Sequence, residues 1–317
     1  MKGTPVTNPA GVITAKKPKS GRSKVRRNLF IATFILPTLL LYLVFTVYPM
    51  LKGIYLSLFD WSGGSMDYNF IGLDNFKEMF KDPIIPKALL NDYFLVAGKV
   101  IGFMVLALFF AVALTRLKIK GSGFYRAIFF LPNVISVVVV GVLWRYVYNP
   151  NLGFLNSLIG AIKKEEFIFP WLGDAATAMW ALLPPSIWAG VGFCTLLLIA
   201  GILSIPDSLY EAAGLDGATQ WQQFWHVTLP LTWEQIQTSV IWIVMTTLNG
   251  SFIIVSIMTE GGPDNATQVL GSYLYQQGFR QYHLSYAAAI GVLTLVVSLV
   301  TTVALQRIMK REPLEIS

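Results

Sequence analysis

The most informative pattern in the sequence is a series of long apolar blocks separated by more polar segments. Each block exceeds about 18 residues, enough for a helix to cross a hydrocarbon core of about 30 Å. Continuous runs of this length do not resemble the short alternating strands of a barrel, and in lipid a helix satisfies its own backbone hydrogen bonds. The pattern therefore predicts an all-α membrane protein. Its six transmembrane helices are predicted at Leu29–Leu51, Tyr93–Thr115, Tyr125–Val147, Met179–Ile202, Thr238–Met258 and Tyr286–Ile308.

Composition agrees with lipid as the solvent of this chain. Of its 317 residues, 55% are hydrophobic and 13% are charged, whereas a soluble domain has about 25% charged residues. The apolar run after the basic N-terminus is too long for a signal peptide, and no small-residue cleavage site follows it. Residues 1–28 are therefore predicted to be a disordered basic tail and residues 29–317 the transmembrane domain. The lone Cys194 excludes a disulfide framework or a cysteine metal site.

Basic residues mark one side of the membrane. They concentrate in residues 1–28, in the loop Thr115–Arg126 and at the C-terminus. The positive-inside rule then places both termini in the cytoplasm. The net charge of +7 is explained by these cytoplasmic basic residues, so nucleic-acid binding is not expected. One outer segment should carry a short helix near Asp74–Lys81. The absence of an internal repeat in the sequence favours a second subunit that supplies the other half of a transport path.

The loop between the fourth and fifth predicted helices departs from the charge rule. Alternation places Ser204–Trp233 in the cytoplasm, yet this segment has no Lys or Arg and carries Asp207, Glu211 and Asp216. An acidic surface suits a basic protein partner better than an anionic membrane. The loop is therefore a candidate docking surface for another protein.

The same loop has a predictable local structure. Pro206 is suited to a helix start, Gly214 and Gly217 to a bend, and Pro230 to a helix stop. Four residues between the bend and the stop recur at helical spacing, namely Trp221, Phe224, Trp225 and Thr228. The sequence thus predicts two short helices joined by a bend.

This loop resembles the hallmark motif of the permease subunits of ATP-binding-cassette importers. That motif is Glu-Ala-Ala, three residues, Gly, nine residues, Ile, one residue and Leu-Pro. The chain has Val227 in place of the Ile, which is a conservative change of an apolar contact. The matching residues are Glu211, Ala212, Ala213, Gly217, Leu229 and Pro230.

Other segments resemble the carbohydrate, maltose-transporter-like class of this family. These landmarks are Tyr48-Pro49, Ser57-Leu58-Phe59, Gly72-Leu73-Asp74-Asn75-Phe76 and Gly261-Gly262-Pro263 followed by Thr267. The resemblance implies the type I ABC-importer permease fold in a bacterial or archaeal plasma membrane. It also implies three kinds of protein partner: a second homologous permease, a cytoplasmic ATPase dimer and an external sugar-binding protein.

The resemblance further implies that residues 204–230 form a coupling-helix loop that lies in a cleft of the ATPase. In that arrangement the apolar stripe of Trp221, Phe224 and Trp225 would be buried against the ATPase. Glu211 would meet a basic residue, and Gly217 would allow close backbone approach. ATP and Mg would be bound by the partner ATPase, so no cofactor is expected in this chain. The sequence indeed lacks a Gly-x4-Gly-Lys-Ser/Thr phosphate loop.

Asn249 is the candidate for a solute contact within the fifth predicted helix. Helical spacing places it on one stripe with Trp242, Met245, Phe252 and Ser256, which combines aromatic rings with polar groups. The alternative is that the amide makes a hydrogen bond that packs helices together. Lys99 and Arg145 are interpreted as side chains that extend from the helix ends to the membrane interface.

Other functions remain open as alternatives. The permease could carry a different class of solute, or the chain could be a secondary transporter driven by an ion gradient. The second alternative requires intramembrane carboxylates or a half-repeat, and neither is visible in the predicted helices. An enzyme is not expected, because no Ser/His, paired Asp or His/Glu metal constellation lies in them.

Overall fold

The computed structural model describes residues 20–64, 68–117 and 121–311. Helices dominate the described residues, and the strands Phe59–Asp60 (β1) and Asn69–Phe70 (β2) form a small antiparallel hairpin. The chain divides into two compact units, residues 1–52 and residues 53–317. We describe each unit by itself.

The first apolar span is continuous from Asn28 to Leu56 and contains a π-helical turn, Leu43–Val47, between α1 (Ser20–Tyr42) and α2 (Tyr48–Leu56). Helix α1 begins at Ser20, within the segment predicted as a disordered tail. Residues 1–19, the rest of that predicted tail, lie outside the described residues.

Four of the other predicted spans are confirmed as long apolar helices, and two of these begin well before their predicted starts. Helix α4 begins nine residues early because a polar turn, with Asn91 and Asp92, continues the helix beyond the apolar block. Helix α13 begins at Trp233 for a similar reason. The four spans are α4 (Ile84–Arg116), α8 with α9 (Ala178–Ala181 and Leu183–Leu203), α13 (Trp233–Met258) and α15 (Leu284–Met309).

The third span is broken, so its prediction as one straight helix is wrong. Helices α5 (Ser122–Val134) and α6 (Val137–Val147) meet at an angle of 95°. Between them Ile135 and Ser136 are extended, with ψ of 136° and 135°. Pro132 weakens the end of α5 because it lacks a backbone N–H. The apolar composition of the block gives no information on this change of direction.

Close packing of α5 on α9 holds the broken span in place. Gly192 in α9 is buried, and a Cβ atom at this position would overlap the backbone at Phe129 and Phe130. Glycine thus lets the two helix backbones approach closely, as is common between helices in membranes.

The main core lies where α4, α9 and α13 pack together. Small or branched side chains fill it, including Ala107, Ala111, Cys194, Leu198 and Ile243, all fully or almost fully buried. Cys194 is therefore a packing residue, as its position in the sequence suggests. The tight contacts make these three helices the rigid frame that carries the loops.

Shorter elements connect the spans. The predicted helix Asp74–Lys81 (α3) is confirmed with the same bounds. Asn75 at its start donates hydrogen bonds to the carbonyls of Ser57 and Phe59, both at 2.8 Å, and so ties α3 to the hairpin. The remaining short elements are α7 (Phe154–Lys163), α10 (Asp207–Leu215), α11 (Gln220–Gln223), the π turn Phe224–Thr228, α12 (Leu229–Leu231), α14 (Leu270–Tyr275) and the π turn Gln276–Arg280.

Candidate functional site

The loop between α9 and α13 is two short helices joined by a bend, as predicted. Helix α10 starts after Pro206, whose backbone is extended, and ends before Gly217. Gly217 has φ of +79°, a left-handed conformation that favours glycine. Its N–H donates to the Gly214 carbonyl at 3.0 Å, and the next N–H donates to that of Ala213 at 2.9 Å. This is how a glycine commonly terminates a helix.

The second arm of the loop begins with a capping box that sequence reasoning missed. Gln222 N–H donates to Oγ1 of Thr219 at 3.3 Å, and Thr219 N–H donates to Oε1 of Gln222 at 2.8 Å. These bonds satisfy two backbone donors at the start of α11. The Thr-x-x-Gln spacing is the sequence signal that could have located this helix start.

Pro230 does not stop the second arm, so that prediction is wrong. The helical backbone continues through α12 to Leu231, and only Thr232 separates it from α13. The π turn Phe224–Thr228 comes just before the proline, and Leu229 N–H donates to the Phe224 carbonyl five residues back. This shift of the hydrogen-bond register accommodates a residue without a backbone N–H. Pro49 follows the first π turn at the same spacing.

The loop presents an aromatic cluster formed by Trp221, Phe224 and Trp225. The Trp221 ring centroid lies 5.9 Å from that of Phe224 and 5.6 Å from that of Trp225. Trp221 is 68% exposed and Trp225 is 47% exposed. Exposed apolar rings on a polar connecting segment mark an interaction surface. The structure thus brings together the aromatic residues that the sequence places on one helical face.

The motif residues divide between exposed and buried positions. Glu211, Ala212 and Gly217 are exposed, whereas Ala213 is half-buried. Leu229 and Pro230 are half-buried beneath the second arm, and Leu229 packs against the main core. The exposed members are thus available to a partner, while Leu229 attaches the loop to the bundle.

Arg116 at the end of α4 anchors the first arm of the loop. Its guanidinium carbon lies 3.3 Å from the centroid of the Tyr210 ring, and its Nη1 lies 3.1 Å from Oδ1 of Asp207. The Tyr210 hydroxyl is 2.9 Å from that of Thr228 in the second arm. The sequence did not predict this contact, because Arg116 served there only as one of the basic residues that mark the cytoplasmic side. The bent loop is therefore held to the helix that forms much of the core.

The predicted stripe around Asn249 on α13 contains both exposed and half-buried side chains. Asn249 and Met245 are exposed, and Asn249 Nδ2 donates to the Met245 carbonyl at 2.8 Å within the same helix. Trp242 is half-buried against Phe193, and Phe252 is half-buried with its ring 5.3 Å from that of Tyr275. Among the described residues the amide of Asn249 makes no bond to another helix, so the helix-packing alternative has no partner there. Ser256 lies beyond, at a separate polar pocket.

A second candidate region is a cavity of about 290 Å³ beside the break in the third span. Lys99 of α4 lines it together with Trp242, so the interpretation of Lys99 as an interfacial side chain is wrong. Because α4 begins at Ile84, Lys99 lies about four helical turns inside the helix. Arg145 is exposed two residues before the end of α6 and donates to the Ile257 carbonyl, and its place at the membrane interface stays a prediction.

Asp92 is a buried carboxylate that sequence reasoning missed because the predicted helix began after it. Its Oδ1 accepts a hydrogen bond from Ser251 Oγ at 3.0 Å, and its Oδ2 accepts one from Leu270 N–H at 2.9 Å. Neighbouring Asn91 donates to the carbonyls of Ala266 and Gln268. These bonds tie the start of α14 and the segment before it to α4 and α13.

Within the described residues, five helices are long and apolar enough to cross a membrane, and the bent pair α5 and α6 makes a sixth span if it crosses as one. These spans, with the bent loop and its exposed rings, define the class as a multi-pass membrane protein with a candidate docking surface. The sequence profile described as "Binding-protein-dependent transport system inner membrane component" matches residues 103–312. The chain belongs to this family. It is therefore an inner-membrane, multi-pass transport component and not an enzyme.

Relatives of this chain are similar over nearly their whole length. The probable ABC transporter permease protein YurN of Bacillus subtilis is 40% identical over 87% of this chain and 94% of its own length. The diacetylchitobiose uptake system permease protein NgcF of Streptomyces coelicolor is 36% identical over 90% of this chain and 83% of its own length. The multiple sugar-binding transport system permease protein MsmF of Streptococcus mutans is 33% identical over 84% of this chain and 90% of its own length.

A solved structure supports the type I ABC-importer permease fold. One chain of a bacterial ABC transporter that imports the acidic polysaccharide alginate superposes with a TM-score of 0.79 and 24% sequence identity. The match covers 91% of this chain and 97% of that chain. The predicted fold class is thus confirmed, with the correction that the third span is bent.

Proposed function

We propose that this chain is the membrane-spanning permease subunit of an ATP-driven sugar or oligosaccharide importer. Two observations support sugar as the solute class: the relatives NgcF and MsmF bear the names of diacetylchitobiose and multiple-sugar systems, and the α13 stripe combines rings with an amide. The chain forms half of the translocation path. A second, homologous permease forms the other half, and an external sugar-binding protein delivers the solute.

The bent loop is the observation that carries this proposal. In our proposal its aromatic cluster enters a cleft of a cytoplasmic ATPase, and Glu211 pairs with a basic residue of that protein. Exposed rings lose contact with water on docking, which favours association by roughly 25 cal/mol for each Å² of apolar surface buried. Because Arg116 joins the loop to α4, movement of the ATPase would be transmitted to the core helices as rigid bodies.

The proposal also places both termini and the bent loop in the cytoplasm. Basic residues near the N-terminus and around Arg116 and Arg126 support this orientation. A single cysteine at Asp216, in a chain whose Cys194 is replaced by Ser, tests it by labelling in intact cells. Labelling by an impermeant reagent is expected only after the membrane is opened. Labelling from outside in intact cells would show that the loop faces the exterior and that the proposed orientation is wrong.

Within the membrane, Asn249 contacts the passing sugar, and Trp242, Met245 and Phe252 provide apolar surface beside it. The exposure of Asn249 and Met245 supports this assignment, because an interior amide on a transport path remains accessible to solute. Its hydrogen bond to its own helix leaves the amide oxygen free to accept from a sugar hydroxyl.

Reconstitution with the partner subunits tests the function directly. Purified chain, second permease and ATPase should form one complex in vesicles that accumulates a sugar only when ATP, Mg and the binding protein are present. ATPase without this chain is the matched control. Uptake driven by an ion gradient in the absence of ATP would instead support the secondary-transporter alternative. In that case Asp92 would be the first carboxylate to substitute.

A further inference from the structure

Lys99 carries a charge inside the helix bundle without a described hydrogen-bond partner. It lies about four turns into α4 and lines the cavity beside the broken span. The ion pairs within the described residues involve other cations: Lys77 with Asp74, Arg116 with Asp207 and Arg280 with Glu260. A charged side chain within a membrane helix is costly unless it is paired, so its presence points to a function.

The remaining polar groups of the cavity cannot neutralise this charge. Three hydroxyls line it, and each donates its proton to a carbonyl of its own helix. Their oxygen lone pairs stay available but carry no formal charge. Among the described residues no acidic side chain lines the cavity. The three hydroxyls belong to Ser186, Thr246 and Thr247.

Asp92 is the carboxylate nearest to Lys99 along α4, and it lies about two turns earlier. Both of its oxygens are already occupied, one by Ser251 Oγ and the other by Leu270 N–H. Asp92 stabilises the charge of Lys99 by electrostatic attraction at a distance, but no hydrogen bond joins it to the ammonium within the described residues. The three donor positions of the ammonium therefore remain for a bound molecule.

The other walls of the cavity suit a sugar ring that carries an acidic group. Trp242 contributes an aromatic side chain to the lining, and Asn133 contributes an amide that has no hydrogen bond within the described residues. Val137, the first residue of α6, also lines the cavity. The first N–H groups of a helix lack intrahelical acceptors and carry partial positive charge, which adds to that of Lys99.

We propose that this cavity binds the carboxylate of an acidic sugar on the translocation path, with Lys99 as its ion-pair partner and Trp242 against the sugar ring. The inference rests on the proposed function and narrows its substrate class to sugars with a carboxylate. A charge-assisted hydrogen bond supplies the selectivity, because a neutral sugar leaves the ammonium unpaired.

Equilibrium binding of two matched probes tests the site. The purified complex of both permeases and the ATPase, without the binding protein, is titrated with radiolabelled D-glucuronate or its neutral isostere D-glucuronamide. Wild type should bind glucuronate at least about tenfold more tightly than the amide, the discrimination expected of one charge-assisted hydrogen bond. Lys99→Met, which removes the charge and keeps an unbranched side chain only one atom shorter, should abolish the preference, whereas Lys99→Arg should retain it.

Several results would overturn the site. They are equal binding of the two probes by wild type, no saturable binding of glucuronate, or an unchanged preference in Lys99→Met. The wild-type comparison stands even if a variant fails to assemble, which gel filtration and ATP hydrolysis reveal. The proposed function fails separately, if the wild-type complex with its binding protein accumulates no sugar with ATP. ATP-driven uptake without any preference for glucuronate would preserve the importer and reject the Lys99 site.

Discussion

The guanidinium of Arg116 lies over the ring of Tyr210, 3.3 Å from its centroid, and so joins the last turn of α4 to the bent loop. Arg116 also pairs with Asp207, but the side chain of Asp207 is 83% exposed. An exposed ion pair contributes about 0 to 1 kcal/mol, whereas a partly desolvated cation–π contact contributes up to about 2 kcal/mol. The Tyr210 ring is therefore the stronger part of the anchor.

We expect Tyr210→Leu to reduce the amount of solute transported per ATP hydrolysed, because the loop would move without pulling α4. Tyr210→Phe keeps the ring and should lose little, although it removes the hydroxyl contact with Thr228. Asp207→Asn should change this ratio little, because the ion pair between Asp207 and Arg116 is exposed to solvent. Paired assays of uptake and ATP hydrolysis in vesicles measure the ratio. A larger loss in Asp207→Asn than in Tyr210→Leu would contradict this ranking.

Glu211→Lys should weaken docking of the ATPase while the chain still inserts in the membrane. Glu211 is exposed and makes no described hydrogen bond in the chain, so reversing its charge costs little folding energy. The measurements are ATPase co-purification at low and high salt, and uptake. Glu78→Lys, the same charge reversal at an exposed residue of α3, is the matched control and should behave as wild type. Equal co-purification of wild type and Glu211→Lys would remove Glu211 from the docking surface.

Substitutions of Gly217 separate backbone conformation from close approach. A Cβ atom at Gly217 would meet nothing within 4 Å in the chain, so the cost of a side chain is the strain of φ +79°. Asn tolerates this region far better than Trp does. If conformation is what matters, Gly217→Asn keeps ATP-dependent uptake and Gly217→Trp loses it, with both inserted normally. If the ATPase needs close approach, both lose uptake. Normal uptake in both variants would exclude either role.

Asn249→Ala should lower uptake with little change in assembly or ATP hydrolysis. The amide is exposed and bonds only to its own helix, so its removal costs at most about 1 kcal/mol of stability. Thr294→Ala removes a similar bond within α15 and serves as the control. Uptake per assembled complex is the measurement. A poorly assembled Asn249→Ala protein with normal uptake per complex would assign the amide to packing alone.

Asp92→Ala should destabilise the protein, because it leaves Leu270 N–H and Ser251 Oγ buried without their acceptor. Each unsatisfied group costs roughly 1 to 3 kcal/mol. The single buried thiol of Cys194 provides the assay, since a thiol-reactive dye reports its exposure during heating in detergent. Asp74→Ala, which breaks an exposed ion pair with Lys77, is the control and should change little. Equal melting of both variants would show that Asp92 does not hold the α14 segment.

Structure within the loop was largely predictable because it depends on neighbours in the sequence. The start near Pro206, the bend at Gly217 and the helical run of the aromatic cluster each follow from local backbone preferences. Pro230 misled the prediction for a physical reason: a π turn can shift the hydrogen-bond register ahead of a proline, and the helix then continues. No residue type in the loop reveals that shift.

The sequence by itself determined the membrane class, the number of spans and the transport motif, because apolar length and residue spacing are properties of continuous segments. The tertiary structure alone decided the 95° bend of the third span, the contact between Arg116 and Tyr210 and the meeting of Lys99 and Trp242 in the lining of one cavity. Each of these depends on residues that are distant in the chain and meet only when helices pack. A hydropathy pattern shows that a helix is apolar, but its neighbours decide which of its residues face a cavity.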